Sequence, residues 1–360
     1  MESVASHDCS EHTGSLDDPV LQVVPLAVGP WPTVDPFLFC VHHLDFYPAG
    51  TEAMTPSASL DGRAIGQDFA GKDGWNMYHG SGVPGFPQHP HRGFETVTFV
   101  RRGYIDHSDS LGATARFGRG DVQWMTAGGG VQHCEMFPLL DTDGPNTLEL
   151  FQIWLNLPRV DKMVEPYFTM LWGEDLPVLE HSDDQGRAVR VEVVAGRLAG
   201  LTPPAPPPNS WAARPEADLA IWHVTAEAGS HWTLPAASAP ETVRTVYVFD
   251  GASVFLGGHE IPAGHGAVVR ADVPVELVGG DDTTECLVLQ GRPIGEPVAQ
   301  YGPFVMNTRE EIEAAFADYR ATQFGGWPWD SPDPTHPRSM GRFARHADGR
   351  LEVRDSDAVG

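Results

Sequence analysis

The sequence predicts an all-β protein: two tandem barrels followed by one short C-terminal helix. Three observations carry this. The chain has 360 residues, with 39 glycines and 32 prolines, a composition that suits many short strands joined by turns and a length that suits two domains. From His89 onward, stretches of period-two alternation are separated by glycine turns. A weak echo then follows. Thr245-Val246-Tyr247-Val248-Phe249-Asp250-Gly251 repeats the pattern of Val97-Thr98-Phe99-Val100-Arg101-Arg102-Gly103, and Ala263 to Val268 repeats the turn at 118–122, as two copies of one barrel would.

In chain order, residues 1–19 are acidic and polar and read as a disordered leader without the basic and apolar regions of a signal peptide. The first barrel is assigned to 20–180, with strands at 20–26 and 36–41, a Gly-, Ala- and Ser-rich loop over 50–70, and further strands to Leu157. The second barrel is assigned to 181–300; residues 160–215 read as a connector, whose prolines at 203–208 exclude helix and central strand. Residues 301–325 form a return segment and helix. Asn307-Thr308-Arg309-Glu310-Glu311 is a capping-box start, and Ile312, Ala315, Phe316 and Tyr319 share one helical face. Residues 326–360 mix Pro, Asp, Arg and Gly with little apolar periodicity and read as a loosely ordered tail.

Charge narrows the function. Against 49 acids stand 23 bases, a formal net charge of −26. This argues against direct binding to nucleic acid or anionic membrane, which need clustered Lys and Arg. It leaves small-molecule substrates and protein partners open. Cys9, Cys40, Cys134 and Cys286 form no CxxC pair and no disulfide-dense pattern, which suits reduced thiols in a cytoplasmic protein. The apolar run Val20 to Val28 is too short to span a bilayer.

The chemistry concentrates between Phe86 and Glu135. His89 and His91 stand two apart, as do His133 and Glu135. In a strand, residues i and i+2 point the same way, so each pair can aim into one barrel. Three imidazoles and a carboxylate there would hold a metal and leave room for an exogenous ligand. Cys134 has the wrong parity to join them. Counting odd positions inward from His89 also turns Glu95, Val97 and Phe99 inward, so Glu95 competes with Glu135 as the carboxylate. His42, His43 and His79 lack a same-face partner and read as surface or supporting residues. On the strand from Leu148 to Leu157, Gln152 and Trp154 read either as cavity lining or as a buried structural pair.

The words His89-Pro90-His91-Arg92-Gly93-Phe94-Glu95-Thr96-Val97, Gly120-Asp121-Val122-Gln123-Trp124-Met125-Thr126-Ala127-Gly128, Lys162-Met163-Val164-Glu165-Pro166 and Tyr301-Gly302-Pro303-Phe304-Val305-Met306-Asn307-Thr308 occur in this order. Together they resemble the pirin family, over residues 30 to 325. The resemblance implies two cupin (jelly-roll) β-barrels and one divalent metal per chain, Fe2+ first, with Mn, Ni, Cu, Zn and Co also suited. It implies His89, His91, His133 and Glu135 as ligands and places Glu95 behind them, orienting His91 or Arg92. The second barrel has Ala237 and Ala239 where the first has His89 and His91, and no histidine between Ala267 and Gln290. It is therefore expected to bind no metal, leaving His223, His231, His259 and His265 as ordinary histidines.

Two activities follow from the resemblance. One is cleavage of a flavonol such as quercetin with O2 and release of carbon monoxide, with Glu135 as proton acceptor and Trp75, Phe86, Trp124 and Met125 as candidates for the apolar wall. The span from about 163 to 190 would shape the mouth. The other is a non-enzymatic, iron-dependent redox sensor that modulates a transcription factor or metabolic enzyme through a protein contact. A scaffold with vestigial ligands is the third reading.

Overall fold

The structure, a computed structural model, describes residues 18–355. All but Asp18 and Pro19 of the expected leader lie outside the described residues. Among the described residues there are two barrels and one α-helix, and each barrel is a pair of antiparallel sheets.

In the first barrel one sheet orders its strands Tyr167–Leu171, Val122–Thr126, Phe94–Arg102, Asn146–Asn156 and Phe37–Tyr47. The facing sheet orders Leu351–Val353, Phe343–Arg345, Thr114–Gly118, Tyr104–Asp109, Val131–Met136 and Gly85–His91. Between them lies an apolar core that includes Tyr47, Ile105, Phe117, Met125, Leu148 and Leu150. The second barrel has a seven-stranded and a four-stranded sheet around Val191, Trp222, Val224, Val246, Leu256 and Leu277. A third apolar layer joins the barrels: Val97, Phe99, Trp124, Phe151 and Ile153 from the first meet Ile221, Tyr247, Leu287 and Leu289 from the second.

That layer corrects the parity expected after His91. The strand Gly85–His91 stops, and a new one starts at Phe94. Between them Gly93 takes φ +83°, and a Cβ there would stand 1.9 Å from the Val305 carbonyl oxygen; only glycine fits so close an approach. The break resets the alternation. Even positions Phe94 and Thr98 now face the metal-motif side, where Phe94 contacts His91 and Thr98 reaches Glu135. Odd positions Val97 and Phe99 face the other barrel.

The domain limits shift in two places. Strand Val20–Pro25 pairs with His265–Arg270 at the edge of the second barrel's large sheet, so it belongs to that barrel. Strand Val178–Ser182 ends the same sheet on its other side. The tail is also not loose over its described residues, 326–355. Phe343–Arg345 pairs with Thr114–Gly118, and the fully buried Arg116 binds Asp106 through Nε at 2.6 Å and Nη2 at 2.7 Å. Its Nη1 donates to the carbonyls of Pro337 and Met340. A charged residue on the neighbouring strand, not apolar periodicity, anchors the tail.

The helix Arg309–Thr322 starts as expected. Thr308 Oγ1 accepts from the Glu311 amide, and the Glu311 carboxylate accepts from the Thr308 amide. Ile312, Ala315, Phe316 and Tyr319 pack on Phe304. The return segment before it locks onto the metal-motif turn: Val305 N donates to Arg92 O at 3.0 Å and Arg92 N to Pro303 O at 3.3 Å. Buried Lys162 fastens the junction, donating to Gly93 O and Asn156 Oδ1 at 2.8 Å each. Burial lowers its pKa to about 8. Gly93 N also donates to Gly128 O at 2.8 Å, so four separated sequence words meet around one turn.

Candidate metal centre

Strands Gly85–His91 and Val131–Met136 pair antiparallel, with His89 opposite His133 and Phe86 opposite Glu135; the register shifts between Phe86 and His89. Period two turns His89, His91 and His133 the same way. Their ligand nitrogens all lie within 4.8 Å of one another. Among the described residues they are the one group of His, Cys, Asp and Glu side chains close enough to hold a metal.

The nitrogens are prepared for ligation. His89 Nδ1 donates to the Pro87 carbonyl at 2.8 Å, which leaves Nε2 with a lone pair. That Nε2 faces His133 Nε2 at 3.0 Å. His91 Nδ1 and His133 Nδ1 are buried without hydrogen-bond partners. Burial, followed by the neighbouring imidazoles, holds His91 and His133 well below the ordinary histidine range, and burial brings His89 down to about 4. Neutral imidazole is the ligating form. Three neutral imidazoles with ligand nitrogens this close, in a site whose burial disfavours their protonation, are the donor set of a divalent metal, so these residues fit one.

Glu135 is beside this triangle, not in it. Its Oε1 and Gln152 Oε1 share the Thr98 hydroxyl, at 3.0 and 2.8 Å. Burial raises its pKa, opposed by His107 and by the Thr98 hydrogen bond. Glu95 points elsewhere. It accepts from Thr126 Oγ1 and Ser210 Oγ, both at 2.7 Å, and burial raises it to about 7. It therefore orients neither His91 nor Arg92 but ties the first barrel to the connector.

A cavity of about 200 Å³ opens on the imidazoles. Beside His89, His91 and Glu135, its polar lining is His43 and Gln152. Phe39, Val41, Phe86, Ile105, Phe137, Leu150 and Trp154 supply the apolar walls. Of the expected wall residues only Phe86 is there. Trp124 is in the layer between barrels, while Trp75 and Met125 are in the first barrel's core. Gln152 and Trp154 do line the cavity. No residue from 163 to 190 does, because Tyr167–Leu171 is committed to Val122–Thr126 and Val178–Ser182 to the second barrel.

Two residues escaped the sequence reading. His107 pairs with Glu135 across neighbouring strands, and its ring centroid is 5.5 Å from that of His133. Its parity with Ile105 and Asp109 was the available signal. His43 reaches the cavity from the facing sheet and has no motif around it. His42 instead stacks on Phe151 and binds Glu149 at 3.1 Å, and exposed His79 lies 2.6 Å from the Gly66 carbonyl.

Comparison with known proteins gives a consistent set of relatives. Residues 62–155 match the family described as Pirin and residues 221–325 the Pirin C-terminal cupin domain. A Pseudomonas aeruginosa protein named "Putative quercetin 2,3-dioxygenase" is 39% identical over 241 residues, 67% of this chain and 79% of that protein. Pirin-1 of Arabidopsis thaliana is 37% identical, over 67% of this chain and 78% of its own. The crystal structure of quercetin 2,3-dioxygenase from Acinetobacter baumannii superposes with a TM-score of 0.67 at 26% identity, covering 86% of this chain and 98% of the other.

Proposed function

This chain belongs to the pirin family, and from that premise we propose that it is a metal-dependent dioxygenase acting on a flavonol such as quercetin. The observation that carries the reading is the junction of two environments. Three imidazoles converge, His91 and His133 buried and His89 half-buried; His89 and His91 line one end of a largely apolar cavity, and a buried carboxylate of raised pKa stands next to them.

His89, His91 and His133 hold the ion, with Fe2+ first among the suited metals, and Glu135 is the fourth ligand or the base. When bound, the ion supplies Lewis acidity and open positions for exogenous ligands. The other tasks fall to the chain. Phe86 and Trp154 present flat apolar surface to a planar ring. The cavity exceeds the ~150 Å³ that holds benzene in an engineered protein interior, so it encloses a ring with its substituents while a larger ligand extends through the mouth. Glu135, with the Thr98 hydroxyl against its carboxylate, takes the proton of an enolic hydroxyl beside the imidazoles. Walls of Ile105, Phe137 and Leu150 exclude water while the heterocycle opens, both O2 atoms enter the product and one ring carbon leaves as carbon monoxide.

The test is aerobic consumption of quercetin by iron-loaded protein, followed by absorbance, with His91→Ala as control. Turnover that disappears in the variant supports the reading. No turnover, with iron retained at one per chain, overturns it and assigns the centre to redox sensing through a protein partner.

A further inference from the structure

The cavity wall also carries a hydrogen-bond device that the metal chemistry does not use. His43 Nδ1 lies 2.8 Å from Tyr78 Oη, and Tyr78 Oη donates to Asp45 Oδ2 at 2.7 Å. Asp45 is fixed in turn, because its Oδ1 accepts from the Asn76 amide at 2.8 Å and from Asn76 Nδ2 at 2.9 Å. A phenol has one proton. With that proton on Asp45, Tyr78 can only accept from His43, so the His43 hydrogen sits on Nδ1. Burial holds the ring neutral, with its pKa near 4.

His43 Nε2 is then a bare acceptor on the cavity wall, where Gln152 on the neighbouring strand is the other uncharged polar group. Among the described residues it has no hydrogen-bond partner, and it is not sealed within the protein. The Phe86 ring neighbours both it and the metal centre, with its centroid 6.2 Å from that of His43 and 6.4 Å from that of His89. An acceptor held in one tautomer, on the wall of the same cavity as His89 and His91, defines a ligand with two polar groups.

We propose that His43 Nε2 accepts a hydrogen bond from a second hydroxyl of the substrate, with Tyr78 and Asp45 as positioning residues that set its tautomer. The substrate class is therefore a polyhydroxylated planar phenol, with one hydroxyl at the imidazoles and another at His43. This rests on the flavonol reading and narrows it. A buried acceptor left without a donor penalises an analogue that lacks the hydroxyl.

The experiment uses full-length, metal-loaded protein under anaerobic conditions. Binding of quercetin is compared with that of 3-hydroxyflavone, which lacks the outer-ring hydroxyls, by quenching of tryptophan fluorescence. The wild type should prefer quercetin about ten-fold, the effect of one buried hydrogen bond. His43→Phe should reduce the preference to about two-fold or less, with metal content unchanged. Tyr78→Phe keeps the ring and removes the tautomer lock. It should lose most of the preference and turn the His43 15N signals from one tautomer to a mixture, a change that general loosening of the core would not produce. If His43→Phe does not fold, Tyr78→Phe decides. An equal preference in wild type and variants overturns the proposal and leaves the flavonol reading intact. Absence of binding by either compound overturns both. A preference lost in the variants, without aerobic quercetin turnover, upholds the role of His43 and rejects the dioxygenase step.

Discussion

In the first barrel, strands Gly85–His91 and Val131–Met136 turn three imidazoles and a carboxylate into the interior and leave a cavity beside them. In the second, the corresponding volume is occupied by Val191, Trp222, Val224, Val246, Leu256 and Leu277, all buried. Each barrel closes the same way, so the fold does not need the site. A packed interior gains dispersion and desolvation from every side chain. The first barrel forgoes part of that gain for polar groups and open space, and burial perturbs its carboxylates and histidines as a result.

The sharpest way to break this contrast is metal stoichiometry. Loaded protein should carry one ion per chain, and His133→Ala should bring that close to none, together with loss of the metal-dependent rise in melting temperature. Two ions per chain would mean the second barrel binds as well. Next in size is a pair of core truncations. Leu277→Ala in the filled barrel should cost about 4 kcal/mol, because the hole it leaves is new. Leu150→Ala, on the edge of an existing cavity, should cost about 2 kcal/mol. Denaturant midpoints check the order, and equal costs would show that the cavity is no looser than a core.

A smaller effect tests the layer between the barrels. Burial raises Glu95 from an ordinary 4.5 to about 7, so the folded chain holds this proton more tightly than the unfolded one. Its contribution is fully present below pH 4.5 and is lost as pH rises towards 7, by ~3 kcal/mol at most. Glu95→Gln keeps the size and removes the titration. The variant should therefore gain on the wild type between pH 5 and pH 8 in urea midpoints. A constant difference would mean that Thr126 and Ser210 offset the burial. Last comes Lys162→Met, which should cost about 1–3 kcal/mol by taking the Lys162 donor from the buried Gly93 carbonyl and leaving Asn156 Oδ1 with only the Leu157 amide, measured by thermal melting.

How much of this was legible in the chain depended on the length scale of the signal. His89, His91 and His133 were readable because two-residue spacing survives within a single strand. Glu95 was misdirected because the same spacing was carried through Gly93, whose positive φ ends one strand and starts another; the reason for that glycine, the carbonyl of Val305, lies far along the sequence. His43 was out of reach. Its meaning comes from Tyr78 on a loop and Asp45 two positions on, joined by hydrogen bonds that no local pattern encodes. The tail failed for a similar reason, since three-residue strands have no periodicity to read and Arg116 anchors them from another part of the chain.

The pairing of Val20–Pro25 with His265–Arg270 bears on the order in which this molecule can be made. A ribosome delivers the first strand long before the sheet that receives it exists. The nascent first barrel must therefore wait with an apolar, unpaired strand edge in solution, a species prone to wrong pairings. Once the late strand arrives, the two ends of the domain sequence are sewn into one sheet. Neither half of the chain is then a self-contained product, and a cut between the barrels would yield two incomplete pieces where a cut between ordinary tandem domains yields two whole ones.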